Sequence, residues 1–254
     1  MSGGHAHALH LHGHSPLHHL APEVKLAAML GGLIAIVLTP REQFWAFGVY
    51  GLAIIALLGI GEIPLGFYLR RIVLEAPFVA FAVFLPFFGS EPTTVLGPLE
   101  LSIEGSWAAW NILAKATLGV SLSVVLAATT EIPDILRGME RLKVPAMMIA
   151  IAGFMIRYLD VVTSELQRAR VAMVARGHDA RWFWQARPLA TSAGAMFIRS
   201  YERGERIHQA MLARGFTGTM PMVAAHRTGR PRWGLAAVFI VAMWAVYISS
   251  VVVG

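Results

Sequence analysis

The chain of 254 residues contains no cysteine. Disulfides, thiolate zinc sites and iron–sulfur clusters are therefore excluded. Lysine is nearly absent. Lys25, Lys115 and Lys143 are the only three, and none follows a glycine, so the G-K-[ST] core of a phosphate-binding loop is missing. No histidine lies in a predicted membrane span, which excludes a membrane cytochrome with two histidine haem ligands. Neither G-x-S-x-G nor H-E-x-x-H occurs, so no hydrolase signature is present. Charge is thin as well: Asp, Glu, Lys and Arg make up 14% of the chain, against about a quarter in soluble domains. With 56% hydrophobic residues and a mean hydropathy of +0.61, the chain reads as an integral membrane protein.

Five apolar runs are about long enough to cross a hydrocarbon core near 30 Å thick. They cover residues 24–39, 44–60, 72–88, 107–130 and 233–253. Lipid offers backbone N–H and C=O groups no partner, so these runs are predicted as helices and the fold as all-α. Trp45, Trp107, Trp110 and Trp233 sit near run ends, as interfacial aromatics do. A sixth run, residues 145–156, has only about a dozen residues, a length more typical of interfacial or buried segments, and lies within a stretch, 142–176, that reads as mostly helix, with a second helical stretch over about 188–214.

The charges orient the chain. Of 21 Lys and Arg, 12 fall between Ser164 and Arg232, and Arg137, Arg141 and Lys143 lie just before Pro145. The positive-inside rule puts both stretches in the cytoplasm. Residues 89–106 carry Glu91, Glu100 and Glu104 without a basic residue, and belong outside. The layout expected is a flexible tail (1–22), four crossings (23–130), a cytoplasmic helical region (131–232) and a last crossing (233–254). The N-terminus is then cytoplasmic. Six crossings result if residues 145–160 also span.

Seven of the ten histidines stand in the first nineteen residues, among them His5, His7, His10, His12 and His14. Such spacing offers several imidazoles to one divalent metal. Two readings stay open: an incidental, weakly metal-binding tail or expression remnant, and a tail that gathers Co²⁺, Ni²⁺ or Zn²⁺.

The cytoplasmic region repeats itself. Ala172-Met173-Val174-Ala175-Arg176-Gly177 returns 38 residues later as Ala210-Met211-Leu212-Ala213-Arg214-Gly215, with Val for Leu the one change. Arg168 and Arg206 match at the same offset. Glycine after a basic residue is a common helix stop, because it tolerates the left-handed conformation, and arginine suits the negative end of the helix dipole. Each hexapeptide is thus predicted to be a helix tip with an exposed guanidinium. Two such tips suit two equivalent grooves on a symmetric partner, where the planar fork can bind a carboxylate. They serve equally as plain caps that pack within the chain.

Hydrophobic helices, a long basic helical region with two Ala-Arg-Gly motifs and a last membrane helix resemble the T component of energy-coupling factor (ECF) transporters, and within it the cobalt branch, CbiQ. The resemblance covers residues 23–253. It implies the transmembrane energy-coupling subunit of an ABC-type importer in the bacterial cytoplasmic membrane, carrying Co²⁺ for cobalamin biosynthesis. Nickel and a vitamin rank behind cobalt as cargo. By the same resemblance, Ala175-Arg176-Gly177 and Ala213-Arg214-Gly215 each dock in one of two cytoplasmic ATPase subunits (CbiO-like), which hold the ATP and Mg²⁺. This chain would bind no cofactor and catalyse nothing. A substrate-capture membrane subunit (CbiM-like) completes the complex, with a small accessory membrane subunit (CbiN-like) as a further candidate. Small and flexible residues in 145–156 suit a sliding contact with that capture subunit, or packing against the chain's own membrane helices. Membrane lipid is an expected partner and nucleic acid is not.

The competing class is a self-sufficient ion-coupled carrier, built on Glu75 and Lys115, ionisable residues inside apolar runs. Each stands singly, Lys115 is close enough to a run end to snorkel, and inverted repeats of membrane segments are missing.

Overall fold

The computed structural model describes residues 15–88, 93–96, 99–177, 187–218 and 233–253. In chain order the elements are α1 (Pro22–Leu38), α2 (Phe44–Ile60), α3 (Leu65–Ile72), a 3₁₀ turn (Val73–Glu75), α4 (Ala76–Phe88), β1 (Thr93–Leu96), β2 (Leu99–Ser102), α5 (Ile103–Thr129), α6 (Ile132–Arg141), α7 (Ala146–Ala175), α8 (Arg187–Ala213) and α9 (Trp233–Val253). The protein is helical, as its hydropathy predicts. The antiparallel β1–β2 hairpin, paired from Thr93↔Ser102 to Leu96↔Leu99, is a small addition that lies where the sequence suggested only loop.

Two units make up the described residues. The first is a helical bundle of α1–α5, most of α6, and α9. Its core brings Ala35 and Ile36 of α1 against Ala46, Phe47, Tyr50 and Ile54 of α2, Leu122 of α5 and Met243 of α9. A buried polar chain crosses this core. Thr39 Oγ1 donates to the Ala35 carbonyl at 2.8 Å and lies 3.1 Å from Tyr50 Oη, which donates to the Met243 carbonyl at 3.3 Å. These bonds leave the Tyr50 hydroxyl satisfied among apolar neighbours. Close helix approaches rest on missing side chains. A Cβ on Gly32 would stand 3.1 Å from the Phe239 ring, and one on Gly105 only 2.5 Å from the Leu85 carbonyl. Outward, the bundle is apolar: Leu52 is 68% exposed, and Ile55, Phe81 and Val238 resemble it. Such a surface suits lipid.

The predicted run 72–88 is not one continuous α-helix. Pro77 has no N–H with which to reach the Val73 carbonyl four residues back. The Ala76 N–H takes that carbonyl instead, at the tighter spacing of a 3₁₀ turn. Glu75, at the break, is 2% exposed and accepts a 2.7 Å hydrogen bond from Thr117 Oγ1 of α5. Lys115 donates to the Val37 carbonyl at 2.7 Å, one of the orphan acceptors at the end of α1. Both ionisable residues of the carrier reading are thus bound locally, and the described residues include no group of three or more potential metal ligands.

The second unit falls within residues 140–218 and consists of α7 and α8. The short run 145–156 is the start of a 30-residue helix, about 45 Å long. Helices α5, α7 and α9 are each long and apolar enough to cross a membrane, with α2 a shorter apolar helix. The helix expected over 142–176 is present, with Pro145 setting its start at Ala146; Arg157 ends the apolar run and not the helix, because a single arginine does not break one.

Candidate functional site: two capped tips on one helix pair

Ala175 closes α7, and Arg176 is its C-cap, with φ −89° and ψ 12°. The Arg176 N–H bonds the Met173 carbonyl at 3.1 Å and the Gly177 N–H bonds the Val174 carbonyl at 2.9 Å. Gly177 takes φ +78°. The second tip repeats this. Ala213 closes α8, the Arg214 N–H bonds the Met211 carbonyl at 3.0 Å, and the Gly215 N–H bonds the Leu212 carbonyl at 3.0 Å with φ +82°. There the Phe216 N–H also returns to the Met211 carbonyl at 3.0 Å, which completes a Schellman cap. Glycine is required at both turns because a Cβ would strain a left-handed φ. Arg176 and Arg214 are exposed, and neither guanidinium forms an ion pair with another described residue.

The two tips share one antiparallel helix pair. Arg203 Nη2 of α8 donates to Glu165 Oε1 of α7 at 2.5 Å, about two-thirds of the way along each helix. Ser192 Oγ, near the start of α8, lies 3.8 Å from Met173 Sδ, near the end of α7. At the other end Phe154 and Met211 line the same groove. The spacing of these pairs carries information. Glu165 and Arg203 are 38 residues apart, the offset of the hexapeptide repeat, and so occupy equivalent positions. Met173 is equivalent to Met211, and Phe154 to Ser192. Contacts that exchange under the repeat offset mean a local two-fold axis, which passes by the Glu165–Arg203 bridge. Each tip lies eleven residues beyond that bridge, from Glu165 to Arg176 and from Arg203 to Arg214, or about 16 Å of helix. The tips therefore project from opposite ends of the pair on equal arms.

Sequence reasoning identified Ala175, Arg176, Gly177, Ala213, Arg214 and Gly215, and the structure places all six at the two tips. It missed the Glu165–Arg203 bridge. The signal was present: carrying the 38-residue offset back from the hexapeptides sets an acid against a base at equivalent positions. His5, His7, His10, His12 and His14 lie outside the described residues.

Comparison with known proteins adds an independent line. The family described as cobalt transport protein, CbiQ, matches residues 13–224. The cobalt transport protein CbiQ of Rhodobacter capsulatus is 28% identical over 183 residues, 70% of this chain and 72% of its own. The energy-coupling factor transporter transmembrane protein EcfT of Streptococcus thermophilus is 27% identical over 226 residues, 82% of this chain and 83% of its own. A Methanocorpusculum labreanum protein named as a cobalt transport CbiMQ fusion is 24% identical over 237 residues, 90% of this chain and 39% of its own.

Proposed function

The chain belongs to the CbiQ family of cobalt transport proteins, and from that premise we propose that it joins two cytoplasmic ATPase subunits to a membrane subunit that captures Co²⁺. As a member of that family it is a membrane component of an ECF-type transporter. Three finer points belong to the proposal: the cargo, the partners and the residues that meet them. Cobalt follows the names of the CbiQ and CbiMQ relatives. The fused name also favours a CbiM-like capture subunit as the membrane partner. The metal is cargo in this scheme, and ATP and Mg²⁺ stay on the ATPases.

One observation carries the coupling role: two arginines without an ion-pair partner among the described residues, each on a glycine-capped helix end, stand at equal distances from a shared two-fold crossing. An ATPase pair with its own two-fold axis offers two like grooves, and this hairpin offers two like tips. ATP-driven closure would move both grooves, and the tips with them, about the Glu165–Arg203 bridge. The movement would pass along α7 to the capture subunit. In this scheme residues 131–232 face the cytoplasm and the N-terminus lies on the same side.

The test is co-purification and metal-stimulated ATPase activity for Arg176→Ala, Arg214→Ala and the double variant in the reconstituted complex. Each single change is expected to weaken assembly, by about 2–5 kcal/mol where a partner carboxylate is left buried and unpaired. The double change is expected to abolish coupling. Lysine should rescue poorly, because it lacks the planar fork. A double variant that assembles and transports like the parent refutes the proposal.

A further inference from the structure

A cavity of about 340 Å³ opens within the bundle. Its wall comes from the first turns of α1, the last turns of α2 and α5, the first turns of α9, and Leu17 and Leu20 ahead of α1. All these helix ends lie at one level, and the chain beyond them is basic: Arg70 and Arg71 after α2, Arg137 and Arg141 after α5, and Arg227, Arg230 and Arg232 before α9. The positive-inside rule makes this the cytoplasmic level of the membrane.

The wall is apolar except for Lys25 and Thr129. Lys25 is half-buried and donates to the Thr129 carbonyl at 2.7 Å, to Thr130 Oγ1 at 3.2 Å and to the His18 carbonyl at 3.5 Å. Every one of these acceptors is neutral. The carboxylate that acts on Lys25 electrostatically, Asp134, is bound to Arg137 at 2.8 Å. Lys25 makes no ion pair with a described residue. An amine that caps a helix end needs no cavity beside it, and a cavity shaped only for packing needs no amine. Here the two occur together, at the helix ends beyond which the arginines lie.

We infer that this cavity holds one acyl chain of an anionic phospholipid from the cytoplasmic leaflet, with the lipid's phosphodiester near Lys25. The volume lies at the lower end of ligand pockets, about 300–1,000 Å³, and suits one chain rather than a whole lipid. Basic pockets between membrane helices on the cytoplasmic side are known sites for such headgroups. Leu20, Met29, Leu126 and Phe239 supply the apolar contact and Lys25 the charge selection. The inference needs the membrane placement and orientation of the bundle and is independent of the coupling role of the arginine tips.

Native mass spectrometry of the full chain, extracted in mild detergent and exchanged against phosphatidylglycerol or phosphatidylcholine, tests it. One phosphatidylglycerol should be retained per chain in preference to phosphatidylcholine. Lys25→Gln should cut that preference about fivefold, the effect of one basic residue at an anionic surface. Ala28→Trp, and independently Leu126→Trp, should abolish retention of both lipids by filling the cavity. Equal retention of the two lipids by the parent overturns the inference, as does an unchanged preference in Lys25→Gln. Retention that survives both tryptophan variants, or that appears only after residues 1–14 are removed, also overturns it. The last result would make the tail the occupant.

Discussion

The bundle and the helix pair expose apolar side chains to a similar degree and are built differently. In the bundle, residues such as Ile36, Tyr50 and Ile54 are wholly enclosed while others face outward. In the α7–α8 pair, Ile149 is the one buried residue of α7, and α8 has none. Phe197 of α8 is 73% exposed, with Met155, Val171 and Tyr201 close behind. A helix pair with so little enclosed surface gains little stability from its own packing. Its order has to come from the Glu165–Arg203 bridge, from helix propensity, and from whatever covers the exposed side chains. Stability is thus concentrated in one unit and the repeated motif in the other, so their variants should fail in different assays.

The largest effect is expected from Ile54→Ala in the bundle core. Emptying that site should cost about 2–5 kcal/mol, read as a lower Tm in detergent. The amount of ATPase bound per folded chain should not change. Exchange of the crossing charges sharpens the comparison. Glu165→Arg alone and Arg203→Glu alone should each set like charges together and reduce coupled ATPase activity several-fold. The double exchange should restore much of it, because the local two-fold makes the two positions interchangeable. Rescue distinguishes a specific bridge from two independent surface charges, and the Tm of the bundle should stay level throughout.

Smaller again is Gly215→Ala. The left-handed turn should cost about 1–2 kcal/mol at the tip alone. The expected readout is faster amide exchange over the last turn of α8, together with weaker ATPase binding. Removal of residues 1–14 should have the least effect: assembly is unchanged, and uptake falls only when metal is limiting. Loss of ATPase binding in that truncation would make the tail structural and contradict its reading as an appendage.

Particular residues show which features the sequence made legible. Helix α2 was read to its ends, Phe44–Ile60, because Gln43 and Gly61 bound an uncharged run. The tips were legible because a C-cap is local: Arg-Gly after an apolar helix specifies the turn within a few residues. Features that depend on a distant partner were harder. The break at Val73–Glu75 reflects Pro77 acting four residues back, within a run whose hydropathy is uniform. Helix α7, by contrast, is legible over 142–176 because no breaker follows Pro145; Arg157 and Asp160 mark an edge in hydropathy only. The two shorter hydrogen bonds of Lys25 reach more than a hundred residues away in sequence, to Thr129 and Thr130, so no spacing rule connects them. The bridge from Glu165 to Arg203 was an intermediate case, recoverable from the repeat once one asks which equivalent residues carry opposite charge.

The eleven-residue arm also imposes a rule on chain length. An α-helix advances about 100° per residue, so eleven residues complete three turns with about 20° to spare. Crossing residue and tip therefore share a helix face, on both arms. A single inserted or deleted residue between Glu165 and Arg176 would turn that tip by about 100° while moving it only about 1.5 Å along the axis. The guanidinium would then point away from the direction kept by its counterpart on the other arm. Insertion of a whole turn would restore the direction but leave the arms unequal. In these two segments the number of residues is a specification separate from their identity. Substitutions along the exposed faces can accumulate, whereas a change of length in one arm has to be matched in the other.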